Sequence, residues 1–470
     1  MSWHWRQTLA LLVVIGSVCT EASFSLHMND FIKVVKQVED RSPGVKPIKV
    51  LKKIRRATGL NDPFIQHYLG DANSAGPPLD AGLSHYFSKA VHHRVTDNGR
   101  EEGVVLTSDG TTVALGPLLL GIEARFLPKT KDRGKAQYQL TLARDLSLFF
   151  GQSSTQSRHL GPDGCWDSVT APQVFTLSDD ASLLTTAQVN GGMDGLILGK
   201  NLSAKPGRSL RLSTVLTEYY CHRLENKGLD TAPRIISQRR RDNFREMCSF
   251  QLLAREAVNS VELQRELKRL RKMNVKEKKQ LSTVVKRGMK EFVHRYIECP
   301  PIIPRCMWGA EPYRGTPTNL SLPLSFMYIH HTHMPGQPCL TFQQCSADMR
   351  SMQHFHQEDR GWDDIGYSFV AGSDGYIYEG RGWHWRGAHT LGHNSIGYGI
   401  SFIGDYSTTL PSQHSMGLVR DQLASCAISG GRLVANFTLQ GHRQVVNTSC
   451  PGDALYNEIR GWEHFGEVEK

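Results

Sequence analysis

The sequence predicts an α/β fold for residues 299–470, with a largely helical region ahead of it. Two observations carry this reading. After Cys299, apolar strand-like runs alternate with amphipathic helix-like runs, the pattern of a sheet buried between helices. Before it, residues 249–298 contain no proline and are rich in Leu, Glu, Lys and Arg. There Leu253, Ala257, Val261 and, later, Leu267 and Leu270 recur at near-helical spacing. The prolines and turn residues of CPPIIPRCMWGAEPYRG, which begins at Cys299, mark the boundary.

The elements follow in order. MSWHWRQTLALLVVIGSVCTEAS carries Arg6, an apolar stretch from Leu9 to Val18, then small residues as far as Ala22. Residues 1–22 read as a secretory signal peptide, because the apolar stretch is too short to span a bilayer. No later segment is long and apolar enough to span, so the expectation is a secreted, extracellular protein without a membrane span. Residues 23–233 hold a helix-like stretch from Asp30 to Arg56, then VVLTSDGTTVALGPLLLGIEARF, where Ser108-Asp109-Gly110 reads as a turn. No repeat and no catalytic signature stands out there, and no role is legible.

Residues 234–298 form a basic helical segment. They hold 18 Lys/Arg against 8 Asp/Glu, a surplus equal to the net charge of +10 of the whole chain. Charged helices are most often solvated faces. The sharper reading is a surface for anionic polymers such as wall teichoic acids, lipopolysaccharide or heparin-like glycans. For an exported chain, nucleic acid is not an expected partner.

From Cys299 the texture changes. LSFMYIHHTH is an apolar strand ending in histidines, and TFQQCSADMRSMQHFHQED is an amphipathic helix. DIGYSFVAGSDGYIYEGRG reads as a hairpin around Ser373-Asp374-Gly375. SIGYGISFIGDY is another strand, and SMGLVRDQLASCAISGG a helix stopped by a glycine pair. DALYNEIRGWEHF closes with a short helix.

Cysteine count narrows the chemistry. Of ten cysteines, Cys19 would leave with the leader, and nine is odd. Disulfides use cysteines in pairs, so at least one thiol is left over unless chains cross-link. A bound metal ion would keep it reduced. QGHRQVVNTSCPGD, residues 440–453, places His442 eight positions before Cys450. Cys450 could be half of a disulfide, an inert thiol or a metal ligand. A catalytic zinc takes three protein ligands and keeps an open position. His330, at the end of an apolar strand, is where an open α/β sheet presents functional groups, and could be the third ligand. Sequons stand at Asn201, Asn319 and Asn436; a fourth, at Asn447, is crowded by Cys450 and is expected to be unused.

From Cys299 to Phe465 the stretches IHHTH, GWDDIGYSFVAGSDGYIYEGRGWHWRGAHTLGHNS, GISFIGDY and GHRQVVNTSCPGDALY resemble the peptidoglycan recognition protein family, animal relatives of zinc N-acetylmuramoyl-L-alanine amidases. The resemblance implies a central mixed β-sheet flanked by helices. It implies Zn2+ held by His330, His442 and Cys450, and the catalytic branch, because receptor-only members carry serine at the position of Cys450. It assigns catalytic roles to Tyr367 and Thr448. It matches the muropeptide groove to His356, Arg360, Tyr367, His389 and Asn394. It matches Gly361, Trp362 and Arg381 to a preference for diaminopimelate-type peptide stems, an arginine pairing bidentately with the extra carboxylate. It pairs Cys339 with Cys345 and Cys299 with Cys426, leaving Cys165, Cys221, Cys248 and Cys306 unassigned. The expected function is a secreted amidase that cleaves the lactyl–L-Ala bond of bacterial peptidoglycan in innate immunity. The alternative is a non-catalytic peptidoglycan-binding antibacterial protein. A zinc protease is disfavoured, since the chain has no His-Glu-x-x-His motif.

Overall fold

The computed structural model describes residues 27–467 apart from 93, 96–100, 108–110, 129–130, 153–173, 176–183, 204–209, 221–235 and 264–273. The signal-peptide expectation, the turn at 108–110, Leu267, Leu270, Cys165 and Cys221 fall outside the described residues, and the side chains of Val261 and Cys306 are likewise not described.

The helical region is built on one large hydrophobic cluster, with a smaller one around Leu69, Leu120 and Leu140. Helices α1 (Met28–Asp40) and α2 (Pro47–Thr58) divide the early helix-like stretch at Gly44. Helices α3 (Leu115–Arg125) and α4 (Thr186–Ser203) pack at its centre. Helices α5 (Leu212–Tyr220), α6 (Ile236–Met247), α7 (Phe250–Leu263) and α8 (Val275–Phe292) add to it, as do Phe87 of the helix Ala81–Val91 and Leu146 of the helix Ala143–Gln152. Phe31, Leu118, Phe244, Leu253, Val285 and Ile297 share one cluster, so the basic segment forms a wall of this core.

Part of its charge is used inside. Arg240 pairs with Asp194 at 2.8 Å, with both side chains almost fully buried. Tyr219 and Tyr220 donate their hydroxyls to the same carboxylate at 2.8 and 2.6 Å. A buried ion pair persists only when such partners satisfy the remaining lone pairs.

The C-terminal part holds a six-stranded mixed sheet. Its strands are β1 (Ile302–Ile303), β2 (Leu324–His331), β3 (Phe369–Ala371), β4 (Ile377–Glu379), β5 (Gly397–Phe402) and β6 (Leu433–Gly441). The spatial order is β6-β2-β5-β3-β4-β1. Only the β3/β4 hairpin is antiparallel. Successive side chains point to opposite faces. Ile329, Phe369, Ala371 and Ile400 meet the helical stretch 413–429 and the helix Asp453–Ile459 on one face. Val370 and Ile403 meet Met349 and Met352 of helix α9 (Phe342–His354) on the other. Disulfides join Cys299 to Cys426 and Cys339 to Cys345. Among the described residues no helix is long and apolar enough to cross a membrane.

Candidate active site

Strand register brings the site together. Ile329 of β2 is level with Gly441 of β6, so the next residues, His330 and His442, emerge side by side. Their rings lie 4.4 Å apart, centroid to centroid. The loop after His442 returns Cys450, whose Sγ stands 3.7 Å from His330 Nδ1. One donor atom from each of the three lies within 4.8 Å of the others.

Arg443 holds that loop. Its backbone N–H donates to Cys450 O at 2.9 Å, and its guanidinium donates to Asp453 Oδ1 at 2.6 Å and to Ser449 O. Thr448 contributes from within the turn, its hydroxyl accepting the Cys450 N–H at 3.2 Å.

Burial sets the protonation of the donors. It drives the His330 imidazole well below its ordinary 6.5 and His442 down to about 4. Both are therefore neutral at physiological pH, the form that ligates a metal. Burial also pushes the Cys450 thiol up to about 12, with the His331 backbone and Arg443 acting the other way. A buried thiolate needs an opposite charge beside it, and a dication among these donors supplies one. Two imidazoles and one sulfur suit zinc, so the donor set fits the metal.

Two other clusters do not. His331, His333 and Asp405 are close enough, but His331 Nδ1 already accepts the Tyr406 N–H at 3.1 Å. Asp405 Oδ1 is taken by the N–H and O–H of Ser407. His294, Cys299 and Cys426 also cluster, but their sulfurs are bonded to each other.

Tyr367 lies beside the donors, its ring 5.5 Å from that of His330. Burial first, then the Cys450 sulfur, raises its hydroxyl pKa far above the phenol range, so it stays a proton donor. His389, at 5.2 Å from His330, is held neutral by burial, and its Nε2 finds no acceptor among the described residues. Gly399 makes room for it: a Cβ there would meet the His389 ring at 2.2 Å. His356 stacks on Trp362 at 4.7 Å and accepts the Gly366 N–H at Nδ1. Gly361 precedes that indole at φ +66°, a conformation that suits glycine. Exposed Arg360 lies over the Phe355 ring.

Two residues do more building than their sequence positions suggest. Asn394 spends its side-chain oxygen on the N–H groups of His389 and Thr390, each at 2.8 Å. Arg381 is buried and gives its donors to Ile365 O, Asp364 O, Arg386 O and Tyr313 Oη. A single Nη2 hydrogen has no acceptor among the described residues, so no bidentate fork is left for a carboxylate. The sequon asparagines Asn201, Asn319, Asn436 and Asn447 are exposed.

A mixed sheet that sets two imidazoles at its strand ends, beside a loop thiol, forms a donor group that could hold a metal ion. Residues 320–453 match the family model described as N-acetylmuramoyl-L-alanine amidase. The chain is 44% identical to the N-acetylmuramoyl-L-alanine amidase of Mus musculus, over 85% of this chain and 84% of that one. It is 37% identical to that of Homo sapiens, over 96% and 92%. Its C-terminal part is 44% identical to peptidoglycan-recognition protein 1 of Holotrichia diomphalia, over 36% of this chain and 83% of that protein. The chain belongs to the peptidoglycan recognition family, among its N-acetylmuramoyl-L-alanine amidases. Its function lies in peptidoglycan recognition and amidase chemistry.

Proposed function

We propose that the chain is a secreted, zinc-dependent amidase of innate immunity that hydrolyses the bond between the lactyl group of N-acetylmuramic acid and L-Ala in bacterial peptidoglycan. The observation that carries this is Cys450 closing a donor set with His330 and His442. Held there, zinc supplies Lewis-acid chemistry, polarising a carbonyl and lowering the pKa of water.

The protein's own groups do the rest. Tyr367 keeps its proton and donates a hydrogen bond to the scissile carbonyl oxygen as charge develops on it. Thr448 and Arg443 hold the loop that carries Cys450. His356, Trp362 and His389 line the muropeptide side, with Arg360 at its rim. Diaminopimelate-type stems are the proposed preference, supported by Gly361, Trp362 and the one remaining N–H of Arg381. That single N–H favours tolerance rather than strict exclusion of lysine stems.

The test measures zinc content and release of peptide stems from diaminopimelate-type peptidoglycan. Zinc-loaded protein that binds this polymer and releases no stems would leave the non-catalytic recognition reading.

One surface supports a second activity, binding of anionic bacterial polymers. Lys276, Lys279, Lys286, Arg287 and Lys290 of α8 share one exposed face, opposite Val285 and Met289 in the core. These charges run about 21 Å along the helix, from Lys276 to Lys290. A Lys276→Glu/Lys279→Glu/Lys290→Glu variant should lose salt-sensitive binding to teichoic acid and keep amidase activity. Unchanged binding would remove this reading.

A further inference from the structure

We propose that Thr390 is a positioning residue for His330, its hydroxyl fixing which ring nitrogen of that histidine faces the metal donors. The inference rests on the zinc reading above. Thr390 is 1% exposed and lies on the loop between β4 and β5, away from the other ligand segments in sequence.

The two nitrogens of His330 have different neighbours. Nδ1 faces Cys450 Sγ at 3.7 Å, and Nε2 faces Thr390 Oγ1 at 3.4 Å. A neutral imidazole has one N–H. With Nδ1 turned to the metal donors, that hydrogen sits on Nε2, and Thr390 Oγ1 is its acceptor. Metal-ligating histidines almost always donate the second N–H to an outer partner, which sets tautomer and ring orientation.

The hydroxyl is itself held. It lies 2.9 Å from His389 Nδ1, so it stands between two imidazoles. Below it, the N–H groups of His389 and Thr390 both donate to Asn394 Oδ1, and His393 N–H donates to Thr390 O. The β-branched side chain restricts χ1 as well. A change at Thr390 therefore reaches the ligand His330 and the groove residue His389 together.

The test compares Thr390→Val, which removes the hydroxyl at nearly constant shape, with Thr390→Ser, which keeps it. Zinc affinity of the full chain is read by competition with a chromophoric chelator, beside thermal unfolding of the metal-free protein. Thr390→Val should bind zinc about 10- to 100-fold more weakly, while Thr390→Ser stays near wild type. Wild-type affinity in Thr390→Val overturns the proposal, as does an equal loss in Thr390→Ser. Imidazole nitrogen NMR of the zinc-loaded wild type needs no variant: His330 must be protonated at Nε2, and a protonated Nδ1 overturns the proposal. A wild type that binds no zinc overturns the zinc reading itself, and this is seen before any variant is made.

Discussion

Cys450 Sγ and His330 Nδ1 stand 3.7 Å apart, although 120 residues of chain separate them. Neither position means much alone. A register that levels Gly441 with Ile329, and a loop pinned by Arg443, bring them together.

Replacing Cys450 with serine should abolish stem release and leave the fold intact, since Cys450 lies on a loop outside both faces of the sheet core. A hydroxyl is a poor zinc ligand at neutral pH. Zinc affinity should fall by more than the roughly 10- to 100-fold that losing an outer partner costs. Chelator competition and thermal unfolding check the two halves, and muropeptide binding should survive.

Arg443→Ala should loosen the segment that seats the sulfur. The exposed Asp453 pair contributes little, about 1 kcal/mol or less. The donor to Ser449 O is a charged hydrogen bond of about 1.5–3 kcal/mol. The expected result is faster amide exchange across 443–453 and weaker zinc binding, with the sheet protected as before.

His356 and Asp374 should bend the pH–stability curve in opposite directions. Burial, then Arg360 and Arg381, lowers His356 to about 4 from the ordinary 6.5. Its contribution is present above pH 6.5 and lost as pH falls toward 4, so stability rises with pH across that window. Burial raises Asp374 to about 7 from 3.8, outweighing the Tyr378 hydroxyl hydrogen bond that lowers it. Its contribution is present below pH 3.8 and lost as pH rises toward 7. In urea titrations between pH 4.5 and 6, His356→Asn should reduce the slope of stability against pH. Asp374→Asn should increase it, each by up to about 1.4 kcal/mol per pH unit.

The two disulfides should differ in weight. Cys299–Cys426 closes 127 residues and Cys339–Cys345 closes 6. Chain entropy gives about 5 and about 2 kcal/mol respectively. Paired serine substitutions, compared by urea unfolding, should reproduce that order.

Much of this architecture was legible in local pattern. The run ending in His330 forms β2, and the segment around Ser373-Asp374-Gly375 forms the β3/β4 hairpin. The strand β6 gave no signal, because Ala435 and Asn436 are exposed in mid-strand and its register slips between Leu433 and Thr438. An irregular edge strand loses the period-two alternation by which strands are recognised.

Arg381 and Asn394 show a second limit. Sequence motifs placed both beside substrate, but whether a donor is free depends on neighbours distant in the chain. Tyr313 and Arg386 claim Arg381, and no spacing rule reports that. Thr390 escaped for the same reason, since its partner His330 is 60 residues away.

The join between the two halves of the molecule is short. Ile297 is locked in the helical core, and Cys299, two residues on, is bonded to Cys426 in the sheet domain. His294 reinforces the seam, 3.4 Å from Ser429 Oγ. The donor set of His330, His442 and Cys450 and the cationic face of α8 are thus tied through one short covalent seam.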